Sequence, residues 1–138
     1  MASQHITSAF KGGMAFTTEL HNHTVTIDLF DKDGGNNTGP QPKALMLVSL
    51  AGCTGVDVVM ILNKMRVEFS DFSIDVDAEL TETEPKIYHT VKLIYKIKVK
   101  KEDEHKVEKA VDLSQNKYCG VSAMFRSFAK LETEISFM

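Results

Sequence analysis

ALMLVSLAGCTGVDVVMIL, residues 44–62, is apolar on nearly every side of a helix and carries one charge, Asp57, and one thiol, Cys53. A helix that is apolar all round is surrounded by protein or by lipid. Its 19 residues reach the length of a membrane span, but an aspartate at the centre of a bilayer costs about 3 kcal/mol. The stretch therefore predicts a helix buried in a soluble protein, with no membrane contact.

The chain has 138 residues and a net charge of -3, so we predict one domain over 1–138 and no nucleic-acid partner. The N-terminus lacks the basic start and apolar core of a signal peptide, which favours a cytoplasmic protein. Two cysteines 66 residues apart can form a disulfide, but a reducing compartment disfavours it. We expect no cofactor.

Residues 8–29 predict a hairpin of two strands, because apolar and polar residues alternate on both sides of His21-Asn22-His23. Two histidines on one strand face can bind metal, but no third ligand lies nearby in the sequence. Turn chemistry is the simpler interpretation, and no metal site is predicted. Residues 31–42 are dense in Gly, Asn and Pro and predict a loop.

Residues 71–80 and 91–99 are predicted strands, each apolar on one face. The outer face of the first is acidic and that of the second is rich in lysine, which favours an antiparallel hairpin with pairs such as Asp77 and Lys96. The lysine row is therefore interpreted as a solvated sheet face rather than an anion site.

An amphipathic helix is predicted over 102–117, and a final strand over 131–137. One stripe of the helix is formed by Val107, Ala110, Val111 and Ser114. The predicted order is β-β-α-β-β-α-β, an α+β domain with antiparallel strand pairs and helices grouped on one side. One five-stranded sheet and one amphipathic helix cover too little of the apolar helix. We therefore predict that part of its surface meets a second copy across a two-fold interface.

A reactive thiol needs a helix N-terminus, a cation or a hydrogen-bond donor beside it. Cys53 follows about ten residues of helix, and Asp57 one turn later raises its pKa. Cys119 precedes a short segment whose free backbone N–H groups can point at it. From spacing alone both cysteines are compatible with inert core residues. The cations that could stabilise a Cys53 thiolate are Lys43, Arg66 and Arg126.

GPQPKALMLVSLAGCTGVDVVMILNKMR (residues 39–66) and LSQNKYCGVSAM (residues 113–124) together resemble the OsmC family of osmotically inducible and organic hydroperoxide resistance proteins. The resemblance covers almost the whole chain and implies an intertwined homodimer with two sites at the subunit interface. It implies that Cys53 attacks a peroxide to form a sulfenic acid, and that Cys119 resolves this to a disulfide. An external dithiol would then reduce the disulfide.

The sequence departs from the peroxidase members of that family at two positions. Those members carry a Glu after the proline that opens the helix, paired with an N-terminal Arg, whereas this chain has Lys43 there and no arginine before Arg66. An ammonium lacks the bidentate geometry of a guanidinium. The sequence therefore resembles a less characterised branch of the family.

Two functions of different classes follow. In the first, Cys53 is the nucleophile and Cys119 the resolving thiol for an organic hydroperoxide, because Met, Phe and Leu side chains are expected to line the pocket. Lys43 or Arg66 would give electrostatic help. In the second, a pocket at the dimer interface binds a small apolar or electrophilic molecule without catalysis.

Overall fold

A computed structural model describes residues 2–138, which form two compact units, one ending at Met46 and one running from Leu47 to Met138. The predicted α+β class is confirmed, but the prediction of one five-stranded sheet is wrong, because the strands form two three-stranded sheets. The prediction of one domain over 1–138 is not tested by this division and stays a prediction.

The first unit contains an antiparallel sheet of three strands where two were predicted. They are β1 (Ser8–Phe10), β2 (Phe16–Leu20) and β3 (His23–Ile27). The predicted bend is confirmed, since His21 and Asn22 have φ angles of 51° and 65° between β2 and β3. Strand β1 was missed because three residues are too few to show an alternation. Among residues 2–138, no three His, Cys, Asp or Glu side chains cluster as metal ligands.

The predicted loop after β3 is confirmed and is organised around Asp28. Its carboxylate accepts hydrogen bonds from the Thr38 hydroxyl at 2.6 Å and from the backbone N–H groups of Leu29, Asn36 and Thr38. The Thr38 hydroxyl is the largest cause that holds the pKa of Asp28 at about 2. The loop also contains a short 3-10 helix over Asp31–Asp33.

The apolar stretch forms α1 (Ala44–Lys64), which confirms the predicted helix to within a residue or two. Its fully buried residues are spaced four apart and form one stripe: Leu50, Thr54, Val58 and Leu62. The prediction of burial on nearly every side is wrong for the single chain, because Val48, Val56 and Met60 are 64%, 59% and 63% exposed. Within residues 2–138, α1 alone is long and apolar enough to cross a membrane, a test that core helices of soluble proteins also pass.

The second sheet contains β4 (Phe69–Leu80), β5 (Tyr88–Val99) and β6 (Lys130–Phe137), with β5 in the middle. The antiparallel β4–β5 hairpin is confirmed, but β6 runs parallel to β5, so the expectation of antiparallel pairs throughout is wrong. Residues 100–129 separate β5 from β6, which is long enough for the crossover that a parallel pair requires.

The predicted partner of Lys96 is also wrong. The register places Asp77 opposite Lys92, and Lys96 Nζ lies 2.6 Å from Asp75 Oδ2. The predicted acidic and basic outer faces are nevertheless confirmed, and such exposed pairs each contribute about 1 kcal/mol or less.

The crossover from β5 to β6 contains three helical pieces after a 3-10 turn over Lys101–Asp103. They are α2 (Glu104–Leu113), a π-helical turn over Ser114–Tyr118 and α3 (Gly120–Arg126). The observed order is therefore β-β-β-α-β-β-α-α-β, which corrects the predicted one by β1 and α3. The predicted stripe is confirmed, because its members are buried: Val107, Ala110, Val111 and Ser114. The predicted single helix over 102–117 is divided, since α2 ends at Leu113 and Ser114 opens the π-helical turn.

Candidate functional site

The middle of α1 presents two neighbouring residues with different environments. Thr54 belongs to the fully buried stripe, whereas Cys53 is partly exposed. Asp57, one turn further along, is also partly exposed. Because successive helical residues point about 100° apart, Thr54 faces the core while Cys53 lies at the edge of the buried face.

Cys119 lies between the π-helical turn and α3. Its backbone N–H donates to the Ser114 carbonyl at 2.7 Å, a bond five residues long that closes the π turn. Its Sγ accepts from the backbone N–H of Ser122 at 3.3 Å, so the thiol caps α3. The expectation that backbone N–H groups point at Cys119 is therefore confirmed for one group, that of Ser122.

The structure brings the two thiols together. Burial is the largest cause that raises the pKa of Cys53, and the neighbouring Cys119 thiol and the Asp57 carboxylate raise it further. The backbone N–H of Val121 opposes them and lowers it. Two consecutive backbone N–H groups thus serve the two sulfurs as hydrogen-bond donors: that of Val121 donates to Cys53, and that of Ser122 donates to Cys119.

A buried group of hydrogen-bonded side chains lies behind the thiols. Thr54 Oγ1 is 2.7 Å from both the Tyr95 hydroxyl and the Ser114 hydroxyl, and Ser114 donates to Asp57 Oδ2 at 2.9 Å. Gln115 Nε2 donates to the Tyr95 hydroxyl at 2.8 Å. We call this group the hydroxyl cluster and define it by its members: Thr54, Tyr95, Ser114, Gln115 and Ser122.

The three candidate cations occupy different places. Arg66 follows the end of α1 with a φ of 57°, and eleven residues of helix, about 16 Å along the axis, separate Cys53 from Lys64. The chain thus does not bring Arg66 to its own Cys53. Arg126 instead donates to the Gln115 backbone carbonyl and, at 2.9 Å, to Gln115 Oε1. Lys43 lies in the turn before α1 within the first unit, and its proposed role stays a prediction.

A groove of about 890 Å³ lies along the end of α1. Its apolar lining contains Met60, Ile61, Met65 and Leu113, beside Asp57 and Tyr118. Neither Cys53 nor Cys119 is among the residues that line it, so the predicted Met, Phe and Leu lining of a pocket at the thiols stays a prediction. Lys64 and Lys109 also border it.

The hydroxyl cluster escaped the sequence analysis. Ser114 belongs to the predicted helical stripe, but an ordinary α-helix would turn the next residue away from the core, so nothing marked Gln115 as buried. One signal was present: a threonine at the centre of an apolar helix requires a buried partner. Tyr95 lies on the apolar face of the predicted strand 91–99, where a tyrosine has no distinguishing mark as a hydrogen-bonding residue.

Comparisons with known proteins agree with this architecture. A family model described as "OsmC-like protein" matches residues 34–134. Protein YhfA of Escherichia coli K12 is 32% identical over 96 residues, covering 70% of this chain and 71% of that protein. A hypothetical protein from Aquifex aeolicus VF5 has a similar crystal structure, with a TM-score of 0.81 and 30% identity over 100% of this chain and 99% of that one.

A third similar structure is that of an organic hydroperoxide resistance protein OsmC from Legionella pneumophila. Its TM-score is 0.67 and its identity 16%, with 99% of both chains covered. At that identity the likeness shows a shared fold.

Proposed function

Because this chain belongs to the OsmC-like family, we propose that it reduces organic hydroperoxides through its two thiols as a soluble cytoplasmic protein. The observation that carries the proposal is the contact between the thiols of Cys53 and Cys119, each addressed by a backbone N–H group. A family neighbour named for organic hydroperoxide resistance supports the choice of substrate class.

The reaction has two steps. The Cys53 thiolate attacks one peroxide oxygen and breaks the O–O bond; the other oxygen leaves as an alcohol after taking a proton, and Cys53 becomes a sulfenic acid. The Cys119 sulfur then attacks the Cys53 sulfur, which releases water and forms a disulfide. An external dithiol returns both sulfurs to thiols by exchange. The second step needs the two sulfurs to be neighbours, and the Cys119 thiol interacts with that of Cys53.

The direct test counts thiols in the fully reduced protein before and after addition of cumene hydroperoxide, with hydrogen peroxide in parallel. Loss of both thiols within seconds, faster with the organic peroxide, is the expected result. Thiols that survive for many minutes at millimolar peroxide would contradict the proposal.

The second candidate function is non-catalytic binding of a small apolar or electrophilic molecule. It is favoured by the apolar groove beside Asp57 and by a pKa of Cys53 raised above its ordinary value, since a protonated thiol is a poor nucleophile. A variant with both cysteines changed to serine would keep ligand-induced thermal shifts under this function and lose all activity under the first.

We also propose that two copies pair through the exposed apolar face of α1, which we define by Val48, Gly52, Val56 and Met60. Three of these side chains are about 60% exposed, and a side chain at Gly52 would meet nothing within 4 Å. A glycine in such a stripe lets a second helix approach closely. Pairing would also bury the apolar side of α1 that is exposed to solvent in the single chain.

Val56→Glu is expected to convert the dimer to a monomer, because it places a charge at the middle of the interface. Sedimentation equilibrium at micromolar concentration should give twice the 15.4 kDa chain mass for the wild type and the chain mass for the variant. Glu79→Gln, on the outer face of β4, is the control and should remain dimeric. A wild-type mass of one chain would overturn the proposal.

A further inference from the structure

Gln115 lies at the centre of the hydroxyl cluster, and its environment fixes the orientation of its amide. Arg126 can only donate hydrogen bonds, so the oxygen that it contacts at 2.9 Å is the amide Oε1. The Nε2 group then faces three hydroxyl oxygens, those of Tyr95, Ser122 and Thr54, at 2.8, 3.1 and 3.3 Å. A flipped amide would instead place its NH2 donors against the guanidinium donors of Arg126.

The Asp57 carboxylate sets the direction of the remaining hydrogen bonds, because it accepts the single Ser114 proton. The Ser114 oxygen therefore accepts from Thr54, and Thr54 accepts from Tyr95, whose oxygen accepts from Gln115. Ser114 donates to the carboxylate of Asp57, which ends the series. All donors therefore point from the guanidinium towards the carboxylate, an arrangement in which each hydrogen bond polarises the next.

Two members of the hydroxyl cluster connect it to the thiols. Thr54 directly follows Cys53 on α1, and Ser122, which accepts from Gln115, supplies the backbone N–H that donates to Cys119 Sγ. The side chain of Gln115 thus joins α1 to the segment that addresses both sulfurs. The buried side-chain polar atoms of residues 2–138 all have hydrogen-bond partners, so no member of the cluster is left unsatisfied.

We propose that Gln115, held by Arg126, is the positioning residue that sets the reactivity of the thiol pair. It does so by fixing the backbone N–H groups of Val121 and Ser122 against the two sulfurs. The titratable and charged groups in this region are Asp57, Tyr95, Cys119 and Arg126. Gln115 hydrogen-bonds directly to Tyr95 and Arg126 and so holds their side chains in place. This inference deepens the proposed peroxidase function and rests on it for its biological meaning.

Gln115→Leu tests the inference, because leucine has a similar volume and removes every hydrogen bond of the amide. Alkylation of Cys53 by iodoacetamide, followed by peptide mass spectrometry between pH 6 and 10, gives the apparent pKa without any peroxide. We expect the apparent pKa to rise by about one unit and the rate at pH 7.5 to fall about tenfold, because the thiolate fraction falls by that factor.

Asn116→Leu is the matched control. It removes a neighbouring amide of the same π turn whose side chain donates to Asp112 at the surface, and it should leave the profile unchanged. Arg126→Met, at an exposed position, should shift the profile in the same direction as Gln115→Leu. If Gln115→Leu does not fold, the profile of Arg126→Met tests the inference in its place. Profiles within twofold of the wild type in the folded variants would overturn the inference.

The design separates this inference from the proposed function. A shifted alkylation profile in Gln115→Leu, combined with a wild type that is inert to cumene hydroperoxide, would support the positioning role and refute the peroxidase. An active wild type whose alkylation profile is unmoved by Gln115→Leu would do the reverse.

Discussion

Cys53→Ser is expected to abolish the peroxide-dependent loss of thiols, leaving Cys119 reduced for many minutes at millimolar cumene hydroperoxide. Cys119 is 3% exposed and its sulfur caps α3, so it lacks the access that attack on a peroxide requires. Cys53 is the partly exposed member of the pair. The effect should be essentially complete, since removal of the nucleophile leaves no alternative group for the first step.

Cys119→Ser is the informative partner of that variant. It should consume one equivalent of peroxide and accumulate the sulfenic acid on Cys53, which dimedone labelling and mass spectrometry would detect. Rapid oxidation of Cys119 in Cys53→Ser would instead show that the order of the two thiols is reversed.

The rate of the first step should rise with pH beyond the ordinary thiol pKa of about 8.5. Burial, the Cys119 thiol and the Asp57 carboxylate all raise the pKa of Cys53, so the thiolate fraction near pH 7 is small and grows as the pH increases. Stopped-flow measurement of the first step with cumene hydroperoxide between pH 6 and 10 gives this profile. A rate that levels off below pH 7 would contradict these contributions.

Thr54→Val is expected to destabilise the protein by about 2–3 kcal/mol, a large share of a typical stability of 5–15 kcal/mol. The substitution keeps the shape of the side chain but leaves the Tyr95 hydroxyl without its acceptor and Ser114 without a donor. All three residues are fully buried, so water cannot replace the lost bonds. Urea unfolding at one fixed protein concentration measures the difference, because the stability of a dimer depends on concentration.

Thr54→Ser provides the control for this measurement. Serine keeps the hydroxyl and removes one buried methyl group, which costs about 1 kcal/mol. Equal or smaller destabilisation by valine than by serine would show that the hydroxyl cluster contributes little to stability.

Periodicity was enough to predict the elements with long, regular patterns. Helix α1, the β4–β5 hairpin and the buried stripe of α2 were all found where the sequence placed them. The short elements β1 and α3 carry too few residues for a pattern, and the parallel direction of β6 depends on how the crossover packs rather than on the strand's own residues.

The candidate site divides in the same way. The two cysteines were identified as site residues because the segments that contain them, residues 39–66 and 113–124, resemble the OsmC family. The hydroxyl cluster joins α1, β5, the π turn and α3, and its directly bonded members lie as far as 61 residues apart, so no local pattern contains it. Arg126 was considered only as a cation for the thiolate, whereas it binds Gln115.

The π-helical turn makes chain length a constraint on this site. The bond from the Cys119 N–H to the Ser114 carbonyl spans five residues, one more than in an α-helix. Loss of one residue from 116–118 would restore ordinary helical spacing and rotate the thiol by about 100° around the axis. The exposed positions 116–118 can accept other residue types. Their number must stay at three, because it fixes the angle around the helix axis between Gln115 and Cys119. In related chains we expect substitutions in this interval to be frequent and insertions or deletions to be rare.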